Sequence, residues 1–238
     1  MHEVLKNLVV PPRVKVALID DGLDYGDFDA YAPTDIRGVS CYPRIGQTEH
    51  PWHQSTNEHG TVMANMILRI NPWIHLLVIR IEDGISYANP SSPSRTIQPD
   101  SAARAVETAI IRNVDIISMP WTLRKRISEL RSSQFDPGSS GKKAIHEPGI
   151  KRLENAIKKA TANHILMVCS AADDIKLLGK DNLPFCAAEH SMFRIGSCNS
   201  QVQRDAMTEN RETIAYFLPR NPGPRGTSAV LCQTYYIS

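Results

Sequence analysis

"VKVALIDDG", residues 14–22, carries an apolar, β-rich run into two aspartates and a glycine. A short continuous apolar run closed by a turn signal reads as a strand buried on both faces. Three later runs have the same character: "IHLLVIR" (74–80), "VDIISM" (114–119) and "HILMVCSA" (164–171). Helical patterns alternate with them. In "NEHGTVMANMILRI" (57–70), Val62, Met66 and Ile70 recur every fourth position with Met63 and Ile67 beside them, and Asn57 stands where a cap belongs. The spacing therefore predicts a helix that starts at His59. In "PDSAARAVETAIIRN" (99–113), Asp100 is the expected cap, Val106, Ala109 and Ile110 share a face, and Asn113 closes the helix. "GIKRLENAIKKATAN" (149–163) places Ile150, Leu153, Ile157 and Ala160 on one face. Near-continuous apolar strands alternating with helices define an α/β fold, a mostly parallel sheet covered by helices on both faces.

The segments 88–99 and 132–143 are rich in Ser and Pro or Gly and read as surface loops, neither long enough to separate two domains. Residues 1–13 are expected to be a lead-in and 14–238 a single domain, with no internal repeat. The composition of the 238 residues, 42% hydrophobic and 22% charged, is that of an ordinary globular chain. With 27 basic against 25 acidic residues, the net charge of +2 gives no electrostatic case for nucleic acid or a membrane surface. No apolar run approaches the length of a membrane span. The N-terminus lacks the pattern of a signal peptide, and Cys41, Cys169, Cys186, Cys198 and Cys232 are dispersed without CxxC pairs. Both features point to reduced thiols in an intracellular, cytoplasmic setting.

Three short motifs carry the chemistry. Asp20 ends the first strand, His59 opens a helix in "EHGT", and Ser228 lies in "PRGTSAVLC" after a Gly-Pro-rich loop. In parallel α/β sheets, chemistry collects at the carboxyl ends of strands and the starts of the helices that follow. A serine hydroxyl needs a base to take its proton, and the base needs a carboxylate to fix its tautomer and stabilise its cation. A serine at a helix start also offers its own N–H to an oxyanion.

Asp, His and Ser in this order and at these positions resemble the subtilisin-like serine peptidase (subtilase) family, over about Val14 to Thr234. The resemblance implies a three-layer subtilisin-like fold. It assigns Asp20 as the orienting group, His59 as general base and Ser228 as nucleophile. "VDIISMPW" (114–121) resembles the strand whose edge pairs with extended substrate, which makes Ser118, Met119, Pro120 and Trp121 the expected substrate-binding residues. "ILMVCSAAD" (165–173) resembles the strand leading to the oxyanion asparagine, and puts Asp173 there. "DDG" followed by "LD", and "GTSA" at the serine, are closest in wording to the kexin-type branch. In that branch the second aspartate helps bind a basic substrate residue, a role that falls to Asp21; the alternative is a solvated turn carboxylate.

No cofactor is implied. Asp24, Asp27 and Asp29 are candidate calcium ligands, as in related enzymes, but do not make a full set. His50, His53 and His59 with Glu49 and Glu58 lack HExxH spacing, so no metal site is expected; His50 and His53 read as loop residues lining a cleft. The run at 124–131 reads as a solvated basic face.

The sequence also departs from the family pattern. Asp173 replaces an asparagine, and an ionised carboxylate only accepts hydrogen bonds. Losing that donor costs ~100- to 1,000-fold in rate, a magnitude known from subtilisin itself. Val230 replaces a small residue, Pro120 a serine and Arg220 a glycine, and 238 − 228 = 10 residues follow Ser228. An apolar helix is expected over those last residues. These departures suggest a truncated or decaying copy, or one domain of a larger multidomain protein. Two readings result: a serine endopeptidase acting on extended polypeptide, or a catalytically silent subtilase-fold module that binds peptides or partner domains.

Overall fold

The computed structural model describes residues 13–26, 28, 35–43, 48, 50–86, 94–124, 140–171, 182–198, 216–219, 221–222 and 228–229. For 85–86, 94–95, 124, 140–147, 197–198 and from 216 onward, the description covers the backbone only. β1 (Lys15–Asp20) and β2 (Asp35–Ser40) lead into α1 (His59–Ile70) and β3 (His75–Arg80). A hairpin of β4 (Asp83–Ser86) and β5 (Ser94–Ile97) precedes α2 (Pro99–Ile111), β6 (Ile116–Met119) and β7 (Leu123–Arg124). α3 (Ser140–Ala162), β8 (Leu166–Ser170), β9 (Asn182–Leu183) and β10 (Met192–Cys198) follow. β11 (Tyr216–Pro219), β12 (Asn221–Pro222) and β13 (Ser228–Ala229) come last.

Seven strands form one sheet in the order β11-β10-β8-β6-β1-β3-β2, and every neighbouring pair is parallel. The chain runs from β1 through α1 to β3 on one side, then returns through α2 to β6 on the other side of β1. Successive side chains of a strand point to opposite faces. Ala17 and Ile19 of β1 therefore join a core with Ala102, Val106 and Ala109 of α2 and with Leu153, Ile157 and Ala160 of α3. Val16 and Leu18 join a second core on the opposite face, under Met63, Ala64 and Leu68 of α1. The strand order thus reverses at β1, and a crevice at such a switch point, beyond the carboxyl ends of the strands, is where ligands bind in open α/β sheets.

The four apolar runs are all strands of this sheet, and the three helices form where their periodicity places them. Other expectations are corrected. The buried side of α1 is Gly60, Thr61, Met63, Ala64 and Leu68, while Ile70 is 85% exposed. The helix is rotated from the Val62–Met66–Ile70 face because it must seat on Leu18 and Val78 of the sheet. Asn57 is not its cap; the N-cap is Glu58, at φ 59 and without a side-chain cap bond. Asp100 does not cap α2 either: Gln98 is the N-cap and Pro99 opens the helix, a position where its missing N–H costs nothing. Asp100 instead holds Arg152 of α3 at 2.8 Å, and Glu107 holds the same guanidinium at 2.7 Å. The segment 88–99 contains β5, and α3 begins at Ser140, inside the stretch read as a loop. On the sheet face that α1 covers, Leu166 and Phe193 are 42% and 38% exposed.

The corrected face of α1 makes a direct expectation. Leu68→Ala should cost about 3 kcal/mol as a buried large-to-small change, whereas Ile70→Ala should stay within about 0.5 kcal/mol. Urea unfolding of the two variants beside the parent chain measures this, and equal losses would contradict the assigned face.

Candidate active site

Asp20 is the last residue of β1 and is 1% exposed. Its position is fixed from several sides. The Ile81 N–H donates to the Asp20 carbonyl at 2.9 Å. The Trp121 indole Nε1–H donates to the carbonyl of Ile19 at 2.8 Å, tying the chain beyond β6 to the end of β1. The Asp21 N–H donates to Asp20 Oδ1 at 2.8 Å. His59, the first residue of α1, is 8% exposed and brings Nδ1 to 2.7 Å from Asp20 Oδ2 and 3.0 Å from Oδ1. An ionised carboxylate only accepts, so Nδ1 carries the proton in this bond. The bond fixes the tautomer and leaves Nε2 as the basic nitrogen of the neutral ring.

Close backbone approach makes the pairing possible. Gly22, at φ +113, adopts a conformation that side chains rarely allow, and a Cβ on Gly60 would collide with the Gly22 carbonyl. Strand end and helix start therefore meet with no side chain between them. Asp21 is buried, so the solvated-turn alternative is excluded. Its Oδ1 accepts the Gly60 N–H at 2.7 Å, and its Oδ2 accepts the Asn57 N–H at 2.7 Å and the Ser55 hydroxyl at 2.8 Å. Asp24 Oδ1 accepts the Ser55 N–H at 2.9 Å and Oδ2 the Thr61 hydroxyl at 3.1 Å. Asp27, Asp29 and Glu49 lie outside the described residues. His50 stacks on Tyr42 with ring centroids 3.8 Å apart, and the exposed His53 meets Trp52 edge-on. Among the described residues no group of metal-ligating side chains comes together.

Sequence reasoning missed Arg80. It ends β3 in register with Asp20, and its buried guanidinium donates to the carbonyls of Pro51 and Gln54 at 2.8 and 2.9 Å and to the Thr56 hydroxyl at 2.8 Å. The same group lies over the Tyr42 ring at 5.4 Å. A cation closing an apolar strand is a faint signal in "IHLLVIR", and only the fold reveals that it holds the loop before His59.

The remaining expected residues are placed as follows. β6 pairs with β1 through Ser118 and with β8 through Met119, while Met119, Pro120 and Trp121 are buried. β6 lies between two neighbouring strands as far as Met119, and Pro120 and Trp121 follow it outside the ladder. Ser228 lies in β13, paired antiparallel with Pro222 of β12, rather than at a helix start. Its side chain is not described. Asp173, Arg220, Val230 and the expected terminal helix fall outside the described residues.

The chain belongs to the subtilase family, whose model matches residues 12–222. No curated protein matches the sequence. Similar solved structures include a lanthipeptide protease, at TM-score 0.60 and 18% identity over 87% of this chain and 55% of that one. The nisin leader peptidase NisP from Lactococcus lactis aligns at TM-score 0.59 and 17% identity, over 87% of this chain and 62% of its own. The epidermin leader peptide processing serine protease EpiP from Staphylococcus aureus aligns at 0.61 and 14%, over 92% and 54%. These likenesses establish the subtilisin-like fold. The chain spans 55% and 62% of the first two of those structures.

The contact between strand end and helix start gives a second expectation. Gly60→Ala should destabilise the fold by about 1–3 kcal/mol through overpacking against backbone. Gly26→Ala, where an added Cβ meets nothing within 4 Å, should be neutral within about 0.5 kcal/mol. Thermal unfolding of both variants tests it, and a neutral Gly60→Ala would contradict the described approach.

Proposed function

We propose that this chain is a serine endopeptidase domain that hydrolyses peptide bonds through Asp20, His59 and Ser228. The observation that carries the proposal is the buried Asp20–His59 hydrogen bond, at the carboxyl end of β1 where the strand order reverses. The order of the motifs adds Ser228, which lies beyond the residues 12–222 matched by the family model, as the nucleophile. In the proposed reaction, Ser228 Oγ attacks the substrate carbonyl while His59 Nε2 takes its proton. The tetrahedral intermediate collapses as His59 returns that proton to the departing amine. Water, deprotonated by His59, then attacks the acyl-enzyme, and the acid is released with Ser228 restored. Asp20 holds the ring in one tautomer and stabilises its cation throughout. The Ser228 N–H and Asp173 are assigned to the oxyanion.

The proposed substrate is an extended polypeptide, and the chemistry needs no cofactor. Cys41 is a free thiol, in keeping with action in a reducing compartment. Among the described residues no helix is long and apolar enough to cross a membrane.

A fluorophosphonate probe tests the proposal directly: it should label the parent chain on Ser228 and leave Ser228→Ala and His59→Ala unlabelled. Absence of labelling in all three would favour the silent peptide-binding module instead. Asp173 gives a sharper kinetic expectation. An ionised carboxylate opposes the developing negative charge, while an amide of nearly the same shape donates to it. Asp173→Asn should therefore raise the turnover number on a peptide ester, most strongly at alkaline pH and by up to ~100-fold, with little change in KM. A rate unchanged or reduced across the whole pH range would mean that Asp173 is not at the oxyanion or already donates there in its protonated form.

A further inference from the structure

The resemblance to the kexin-type branch assigns Asp21 to the substrate, yet its surroundings assign it elsewhere. Both carboxylate oxygens are engaged within the protein: Oδ1 by the Gly60 N–H, Oδ2 by the Asn57 N–H and the Ser55 hydroxyl. The first N–H groups of a helix have no partner inside the helix and need an acceptor from outside. In α1 the local N-cap, Glu58, makes no side-chain cap bond. Asp21 supplies the missing acceptor from a strand end 39 positions away in sequence. A carboxylate is also the side chain that the positive end of a helix favours. The Asp21 carbonyl accepts the Thr56 N–H as well, at 3.3 Å, so one residue gathers the chain from 55 to 60.

We infer that Asp21 is a positioning residue that caps α1 and thereby fixes where His59 stands relative to Asp20. The two adjacent aspartates divide the work. Asp20 grips the imidazole of His59, and Asp21 grips the backbone of the residue after it. Because one residue follows the other at the end of β1, the ring and the helix are referred to the same rigid strand. The catalytic meaning of this assignment rests on His59 being the base of the proposed reaction, whereas the capping itself does not.

The experiment reads both parts separately in the full chain. Proton NMR should show a far-downfield His59 Nδ1–H resonance, identified by its loss in His59→Ala. Asp21→Ala should abolish or strongly broaden that resonance although Asp20 is intact. Leu68→Ala, destabilised without touching this bond, should keep it. Asp21→Asn retains a carbonyl oxygen for the Gly60 N–H and covers the case in which the alanine variant does not fold; it should show a weakened, faster-exchanging signal. On peptide esters, Asp21→Asn should lower kcat about 10- to 100-fold through misplacement of the base, with KM unchanged and equally for basic and neutral substrates. An unaltered Nδ1–H resonance in both Asp21 variants would overturn the inference, as would a KM increase confined to substrates with a basic residue. If the parent chain neither reacts with the probe nor hydrolyses esters, the proposed reaction fails while the resonance still decides the role of Asp21.

Discussion

The hydrogen bond between His59 Nδ1 and Asp20 Oδ2, 2.7 Å long and shielded from water, is the constraint around which the described structure is arranged. A buried polar pair of this kind is tolerated only where its members are held and satisfied, because the same low dielectric that strengthens the bond makes any lapse costly. Asp20 is supported by the Asp21 N–H, and its neighbour Ile19 by the Trp121 indole. His59 is supported by the helix it opens, which Asp21 caps and Thr61 ties to Asp24. Arg80, in register beside Asp20, fixes the approach of the chain toward His59. Each support comes from a different segment, so the pair reports the folding of most of one end of the sheet.

The topology explains why this end is the place for it. α1 covers one face of the sheet, α2 and α3 the other, and β1 lies where the order reverses. Connections leave β1 and β6 in opposite directions, the arrangement in which open α/β sheets place ligands beyond the carboxyl ends of the strands. The glycines at 22 and 60 then let strand and helix meet closely enough for Asp20 to reach the His59 ring and Asp21 the Gly60 N–H. Fold and site are one geometric problem here, solved by a strand end, two glycines and a helix start.

Apolar strands in the middle of the sheet were legible in the sequence. β1, β3, β6 and β8 are nearly continuous apolar runs, with both faces largely covered although Leu166 of β8 stays exposed, and that pattern needs no knowledge of the neighbours. β2, β10 and β11 left no such trace. β2 is a partly exposed edge strand whose Gly38 makes room for the Trp52 ring. β10 carries the buried Arg194, whose guanidinium lies 4.9 Å from the Phe185 ring centroid, and an arginine in mid-run argues against an interior strand until that contact is known. The existence of α1 was readable and its rotation was not, because two apolar faces compete and the sheet chooses between them. For the site, Asp20 and His59 stood out by residue type and position. Asp21 as a cap and Arg80 as a clamp did not, since both act on residues more than twenty positions away.

The central claim is that His59, held by Asp20, serves Ser228 as its base. A peptidyl chloromethyl ketone tests this most directly, because it forms a hemiketal with the serine and alkylates the histidine only where the two stand together. Peptide mapping by mass spectrometry after incubation should locate the adduct on His59, and Ser228→Ala should prevent it. Burial pushes the Cys41 thiol up, away from the reactive thiolate, so this partly buried thiol should stay unmodified. Alkylation of Cys41 with His59 untouched, or of His59 equally in Ser228→Ala, would contradict the account.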